Sequence, residues 1–365
     1  MQPTKIVDLF AGPGGLDVAA DKLGIPTVGI EWDSAACTTR RAAGLETWEG
    51  DVRMFGPSNC PEADVLAGGP PCQTFTVAGS GAGRRALDQV LEFVERLIAR
   101  EDREEIQRDL AKLDDERTGL VLQPLMWALD AIDSPDRKPY KAIVLEQVPA
   151  VLPVWTAYKK AFEGEGYQAD CGILHTEAFG VPQTRRRAVL IARYGDEPVK
   201  LPTPTHRVYR KGVGRDEGDE NLLEWRTMDE VIVRETDFEV ISNYGTGGDP
   251  KARGRRRSTE PSATVTGKIF RNRVVGPGDV ELERFTYSEA GRLQTFPADY
   301  PWRGRDVGQQ IGNAVPPRLA MHVLCAAFGW AAPSDAMLRD LYSWGSRGTD
   351  KPDVDDPTGR DQQST

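Results

Sequence analysis

The sequence predicts an α/β chain built on a doubly wound, mostly parallel sheet, with a small loop-rich lobe attached. Three observations carry this. Short apolar runs alternate with amphipathic segments from Ile6 to about Glu146, and glycine or proline turns punctuate each exchange. From about Asp196 to Gly278 the composition shifts to Gly, Pro, Arg and acidic residues with little periodicity.

Taken in order, Ile6 to Phe10 reads as a strand that enters the glycine turn FAGPGGLD and then a helix ending near Gly24. PTVGIEWD gives a second strand, SAACTTRRAAG a helix, and a third short segment leads to GDVR. EADVLAGGPP supplies a fourth strand whose carboxyl end delivers Cys72. Between Ala86 and Glu116 a charged stretch carries Val90, Val94, Leu97, Ile98, Ile106, Leu110 and Leu113 at helical spacing, as one or two amphipathic helices would. Leu120 to Ile132 reads as another helix, and YKAIVLEQVPAVL as a buried strand ending in Glu146. Two further strands flank a turn at Phe179 to Pro182, FTYSEAGRLQTFP is a helix with Ser288 as its N-cap candidate, and IGNAVPPRLAMHVLCAAFGWA leads into a closing helix. The polar tail after about Ser346 is expected to be disordered.

A charged fraction of 28% describes an ordinary soluble protein, and no segment approaches the roughly 18–20 apolar residues of a membrane span. A cytoplasmic location is expected. The five cysteines, Cys37, Cys60, Cys72, Cys171 and Cys325, are scattered, and only three histidines accompany them, which fits neither a disulfide scaffold nor a structural zinc site. No metal is expected. The net charge of -10 argues against a nucleic-acid partner, yet Lys251 to Arg273 holds eight basic residues against Glu260 alone, a local charge of +7.

In doubly wound sheets ligands bind at the carboxyl ends of the strands. The glycine turn, Glu31, Asp51, Cys72 and Glu146 all follow such ends, which places them on one rim. Backbone N–H groups of the turn can approach a ligand, Glu31 can accept from ribose hydroxyls, Trp32 can stack on adenine and Asp51 can accept from an adenine amino group. Together they favour an adenosine cofactor, and the missing phosphate-binding lysine motif argues against ATP. For Cys72 two readings stand at this point: a nucleophile, or a small residue buried in a proline turn.

The blocks DLFAGPGGLD, GIEWD, GDVR, GGPPCQTFTVAG, LEQV, VPQTRRR, RLQTFP and QIGNAVPP are similar, in content and in order, to the signature blocks of the DNA (cytosine-5) methyltransferases. The resemblance covers roughly residues 5–325. It implies a Rossmann-like S-adenosylmethionine-dependent methyltransferase fold, with a catalytic domain over 1–195 and 281–345, a charged helical insertion at about 88–113, and a target-recognition region over 196–280. S-adenosyl-L-methionine is the implied cofactor, leaving as S-adenosyl-L-homocysteine, and double-stranded DNA with a short recognition site is the implied substrate. An RNA cytosine methyltransferase and a catalytically inactive DNA-binding regulator on the same scaffold are the alternatives.

The resemblance also implies roles. Cys72 would attack carbon 6 of a flipped-out cytosine, Glu146 would act at N3 and the exocyclic amine, Arg187 would reach O2, and Arg185 would join this catalytic set. Arg186 would point to the other face of its strand. Where the family usually carries Asn after the glutamate, this chain has Gln147, one methylene longer. Cofactor positions would be Phe10, packing on the adenosyl group, Asn313, closing the pocket, and with them Ala11, Gly12, Gly14, Gly15, Leu16, Glu31, Trp32, Asp51, Val52, Pro71, Leu120 and Ala314. DNA would be met by Gln73, Thr76, Gln183, Arg255, Arg256, Arg257, Lys268, Arg271 and Arg273. The glycine-rich segment after Cys72 fits a loop that closes over DNA. A monomer, associated with the nucleoid when acting and paired with a restriction endonuclease in some settings, completes the expectation.

Overall fold

A computed structural model describes residues 1–71, 81–113, 117–243 and 253–345 of the chain. Cys72, Gln73, Thr76, Lys251 and the tail from Ser346 lie outside the described residues. The first half runs β1 (Ile6–Leu9), α1 (Gly15–Lys22), β2 (Thr27–Glu31), α2 (Ser34–Ala42), β3 (Thr47–Glu49) and β4 (Val65–Gly68), as the alternation predicts. Each α/β exchange follows from local chemistry; Asp33, for instance, caps α2 by accepting from the Ala35 N–H at 2.8 Å.

α3 (Gly81–Ile98) and α4 (Arg103–Leu110) occupy the charged stretch. Their apolar stripe, Val90, Phe93, Val94, Leu97, Ile106 and Leu110, is buried in the main core. Arg96 pairs with Glu101 and Asp109, Arg100 with Asp133, and Arg103 with Asp130. Exposed pairs of this kind contribute about 0–1 kcal/mol each, whereas a buried Leu, Val or Phe side chain contributes roughly 1.5–3 kcal/mol. The stretch is thus held by its apolar face.

The single helix expected at Leu120 to Ile132 divides into α5 (Arg117–Leu120) and α6 (Gln123–Asp133), since Pro124 belongs in the first turn of a new helix. β5 (Ala142–Gln147) follows, then α7 (Leu152–Gly164), a helix beyond the sequence expectation because Pro153, its first-turn proline, is equally at home in a loop. β6 (Tyr167–His175) and β7 (Arg186–Tyr194) complete a seven-stranded sheet ordered β3-β2-β1-β4-β5-β7-β6. The pairs from β3 through β5 are parallel, and β7 runs antiparallel to both β5 and β6.

The aperiodic region contains β8 (Glu239–Ile241), β9 (Arg255–Arg257), β10 (Arg273–Val275) and β11 (Glu281–Leu282), a four-stranded sheet ordered β11-β10-β8-β9. Strands of two or three residues are too short to display a period. Their core gathers Met228, Phe238, Val240, Val265 and Val274 with Phe285, Leu293, Val307 and Ile311 from further along the chain. α8 (Tyr287–Leu293), α9 (Val307–Asn313), α10 (Pro317–Phe328) and α11 (Asp335–Asp340) close the described residues. Thr286, rather than Ser288, caps α8: Thr286 and Glu289 form the reciprocal capping box, while Ser288 sits inside the first turn and donates to the Ala298 carbonyl at 2.7 Å.

Beneath the glycine turn lies a fully buried ion pair. Arg40 Nη1 and Nη2 meet Asp17 Oδ2 and Oδ1 at 2.7 and 2.8 Å, and the Thr27 hydroxyl donates to Asp17 Oδ1 at 2.6 Å. Arg40 also reaches the carbonyls of Ala11 and Glu46. Gly29 makes room for it, because a Cβ there would stand 1.9 Å from Arg40 Nη2. Removing one partner leaves the other charge buried and unpaired. Arg40→Ala is expected to lower the unfolding free energy by about 3–5 kcal/mol in denaturant titrations; a change below about 1 kcal/mol would show that the pair is dispensable.

Candidate active site

A cavity of about 590 Å³ opens at the carboxyl ends of β1, β2, β4 and β5. Its walls contain Phe10, Ala11, Gly12, Gly15, Leu16, Glu31, Trp32, Asp51, Val52, Pro71, Leu120, Asn313 and Ala314, each expected from the sequence to meet a cofactor. Gly14 is not part of the wall. Its φ of +103° turns the chain into α1, and a Cβ there would lie 2.5 Å from Leu45 Cδ1.

The turn is held from below and from the side. Glu31 Oε2 accepts from the Gly12 N–H at 2.7 Å and Oε1 from the Asp33 N–H at 2.7 Å, while the Tyr300 hydroxyl donates to the Pro13 carbonyl at 2.5 Å. Phe10 adopts φ +61°, a left-handed backbone unusual for a non-glycine residue, at the point where β1 enters the turn. Trp32 exposes 64% of its surface at the cavity rim, so its ring is open for stacking. Asp51 accepts from the Arg53 N–H at 2.9 Å and from its Nε at 2.9 Å, and the Arg53 side-chain hydrogen bonds hold its carboxyl below the usual carboxylate range.

At the far side of the cavity β5 and β7 bring Glu146 and Arg187 together, with Arg187 Nε 2.7 Å from Glu146 Oε1. Burial lowers the affinity of the Arg187 guanidinium for its proton, and the neighbouring Glu146 charge offsets part of that. Arg186 is exposed between buried Arg185 and half-buried Arg187, as strand alternation requires.

Arg185 lines the same cavity but spends its guanidinium on the backbone. Nη1 donates to the Val265 carbonyl at 3.0 Å, and Nη2 to the carbonyls of Gly312 at 2.8 Å and Ala314 at 3.4 Å. Gln183 departs further from its expected contact with DNA. It is fully buried, donating to Gln294 Oε1 at 2.8 Å and accepting from the Val265 N–H at 2.7 Å. Both ends of its amide are committed inside the protein, so it joins the small lobe to the main sheet instead of facing a ligand.

Tertiary pairing also changes the basic cluster. Arg255 is met by Glu239 at 2.5 Å and Asp279 at 3.2 Å, Arg273 pairs with Glu281, and Arg256 lies over the Tyr209 ring at 4.5 Å and 3.9 Å from Glu260. Glu239, Asp279 and Glu281 come from neighbouring strands and turns outside the basic segment, and Glu260 from within it. Arg257, Lys268 and Arg271 are exposed on the same lobe, as are Arg255 and Arg273.

The inner cavity wall was not foreseen. Asp8, Val144, Val189, Leu319, Ala320 and Val323 floor it, and Arg117 stands near its edge. Leu319, Ala320 and Val323 carry only the helical spacing of core residues, so no sequence signal separated them from ordinary packing. Burial, with the Asp17 charge second, raises the Asp8 carboxyl well above its usual range. The four described cysteines are poor nucleophiles: burial pushes the thiols of Cys37, Cys60 and Cys325 up to about 11, and that of Cys171 upward as well.

Among the described residues no helix is long and apolar enough to cross a membrane. Two curated relatives are the type II methyltransferase M1.HphI of Haemophilus parahaemolyticus, 27% identical with 87% of this chain and 84% of that one covered, and M.NgoPII of Neisseria gonorrhoeae, 26% identical with 89% and 95% covered. Similar solved structures include the Dnmt2 methyltransferase of S. pombe, at TM-score 0.58 and 15% identity over 89% of this chain and 98% of that one. The Entamoeba histolytica methyltransferase EhMeth aligns at TM-score 0.59 and 13% identity over 90% and 99%. These two likenesses speak for the fold. The C-5 cytosine-specific DNA methylase family matches residues 4–101 and 136–328, and with the strand-end cavity and its order of motifs this chain belongs to that family.

Proposed function

We propose that this chain methylates carbon 5 of cytosine at a short site in double-stranded DNA, with Cys72 as nucleophile and Glu146, Arg187 and the glycine turn as its supporting groups. The observation that carries the reading is the Glu146–Arg187 pair, 2.7 Å apart, facing the same cavity as Glu31, Trp32 and Asp51. One cavity thus offers a base-binding end and an adenosine-binding end.

The residues fit S-adenosylmethionine: two strand-end carboxylates, an exposed indole and a wall of backbone around a largely apolar floor match an adenosine carrying a short chain. Bound there, it supplies an electrophilic methyl group. The chain's residues prepare the acceptor. Attack by the Cys72 thiolate forms an S–C6 bond and moves the C5–C6 π electrons toward C5, while Glu146 delivers a proton to N3 and Arg187 faces O2. After methylation at C5 a base takes the C5 proton, its bonding electrons restore the C5–C6 double bond, the S–C6 bond breaks to return the thiolate, and N3 gives its proton back to Glu146. Because C5 and C6 are hidden in a duplex stack, the base must first be flipped out.

Arg257, Lys268 and Arg271 are the basic side chains this reading assigns to DNA, as phosphate or guanine contacts. The names of the curated relatives favour a restriction-modification setting, with a cytoplasmic monomer and, in some settings, a cognate endonuclease.

DNA carrying 5-fluorocytosine at the target lacks the proton that must leave, so the wild type should remain covalently attached and the Cys72→Ser variant should not. Equal adduct from both would remove Cys72 as nucleophile. With labelled cofactor, methyl transfer to RNA alone would overturn the DNA reading. Glu146→Gln should slow single-turnover methylation by about 10²–10⁴-fold while DNA affinity changes little; unchanged turnover would take Glu146 out of the mechanism.

A further inference from the structure

The arm that leads from β4 toward Cys72 contains two consecutive prolines, Pro70 and Pro71, which have no N–H to donate. Such an arm can be held only through its carbonyls or by packing. Its start is fixed where the Gly69 N–H donates to the Leu9 carbonyl at 3.2 Å. Its next anchor is Gln147, whose Nε2 donates to the Pro70 carbonyl. The other end of the same amide, Oε1, accepts from the Val148 N–H at 2.5 Å, so the side chain is held at both ends. Gln147 is the last residue of β5, next to Glu146 and in register with Ala188 of β7. Gly69 runs close by, and a Cβ there would lie 3.9 Å from Glu146 Oε2.

We propose that Gln147 is a positioning residue for the transfer reaction: its amide ties the Pro70–Pro71 arm to the strand that carries Glu146, and so fixes the separation between the acid and the end of the arm at Pro71. The proposal rests on the reading of Cys72 as nucleophile. An asparagine at 147 would be shorter by one methylene, about 1.5 Å, and could not bridge the same gap without moving the strand end or the arm. In this chain the longer amide spans it. The backbone Val148 N–H keeps the amide oriented with its NH₂ toward Pro70, which is the orientation the contact needs.

The test compares wild type, Gln147→Met and Gln147→Glu. Methionine keeps the length and loses the donor; an ionised glutamate keeps the acceptor for Val148 and regains a donor only when protonated. Covalent adduct formation on 5-fluorocytosine DNA is followed in single turnover at several pH values, beside DNA and cofactor dissociation constants and thermal midpoints. Both variants are expected to form adduct about 10–100-fold more slowly than wild type near neutral pH, with both dissociation constants within about twofold. For Gln147→Glu alone the deficit relative to wild type should shrink as pH falls toward the carboxyl range, from about pH 6 down to about 4.

Adduct formation by Gln147→Met at the wild-type rate would overturn the proposal, as would a Gln147→Glu deficit that does not change with pH. A loss located in either dissociation constant would overturn it too. If the wild type itself forms no adduct, the reading of Cys72 fails, which is distinguishable from wild-type adduct with indifferent variants.

Discussion

Two opposite charges buried together beneath the glycine turn constrain most of what surrounds the cavity. Asp17 and Arg40 meet in a two-bonded pair with no exposed side-chain surface. A buried pair of this kind is often no more stabilising than well-packed apolar side chains, because desolvation offsets the Coulomb attraction. Its effect here is geometric. α1, β3 and the turn present Asp17, Thr47 and the Ala11 carbonyl to one fork-shaped guanidinium carried by α2, Thr27 of β2 donates to the same Asp17, and Gly29 must stay without a side chain to let the guanidinium pass. The backbone of the turn is thereby set before any ligand arrives, with Glu31 and Tyr300 fixing it from two more directions.

A second buried guanidinium performs the corresponding task on the other side of the cavity. Arg185 reaches carbonyls of Val265 in the small lobe and of Gly312 and Ala314 at the end of α9. Gln183, two residues earlier, binds the same Val265 backbone and Gln294. The lobe is therefore joined to the main sheet through side chains of the QTRRR segment, and Arg187 emerges from that junction with its direction set by strand alternation. Burial lowers the proton affinity of both arginines, and the Arg187 charge lowers that of Arg185 further. Glu146 lies where it can offset them, which places its carboxyl group and the Arg187 guanidinium within one contact distance.

The same contrast between linear and spatial order applies to charge. Counted along the sequence, Lys251 to Arg273 is a concentrated basic patch; in the fold, Arg255 and Arg273 face acids from β8, β11 and the turn before β11. These exposed pairs add little to stability. They do lower the net positive charge that Arg255 and Arg273 offer to a polyanion, although both side chains stay exposed beside Arg257, Lys268 and Arg271.

The order of strands and helices through β5, the strand ends that bear Glu31 and Glu146, and the family itself were legible because each rests on local pattern: period-two and period-3.6 apolarity, turn residues, and motifs contiguous in the chain. The four-stranded lobe, the inner cavity floor on α10, the burial of Gln183 and the neutralisation of Arg255 and Arg273 were not legible. These depend on contacts between residues eight to more than a hundred positions apart, from Arg273 and Glu281 to Gln183 and Gln294, which no local pattern announces. The sequence by itself determined the chemical groups and the rim that carries them. Only the tertiary structure decided which of those groups face the cavity and which are consumed in holding it, because a hydrogen-bond donor satisfied inside the protein is no longer available to a ligand.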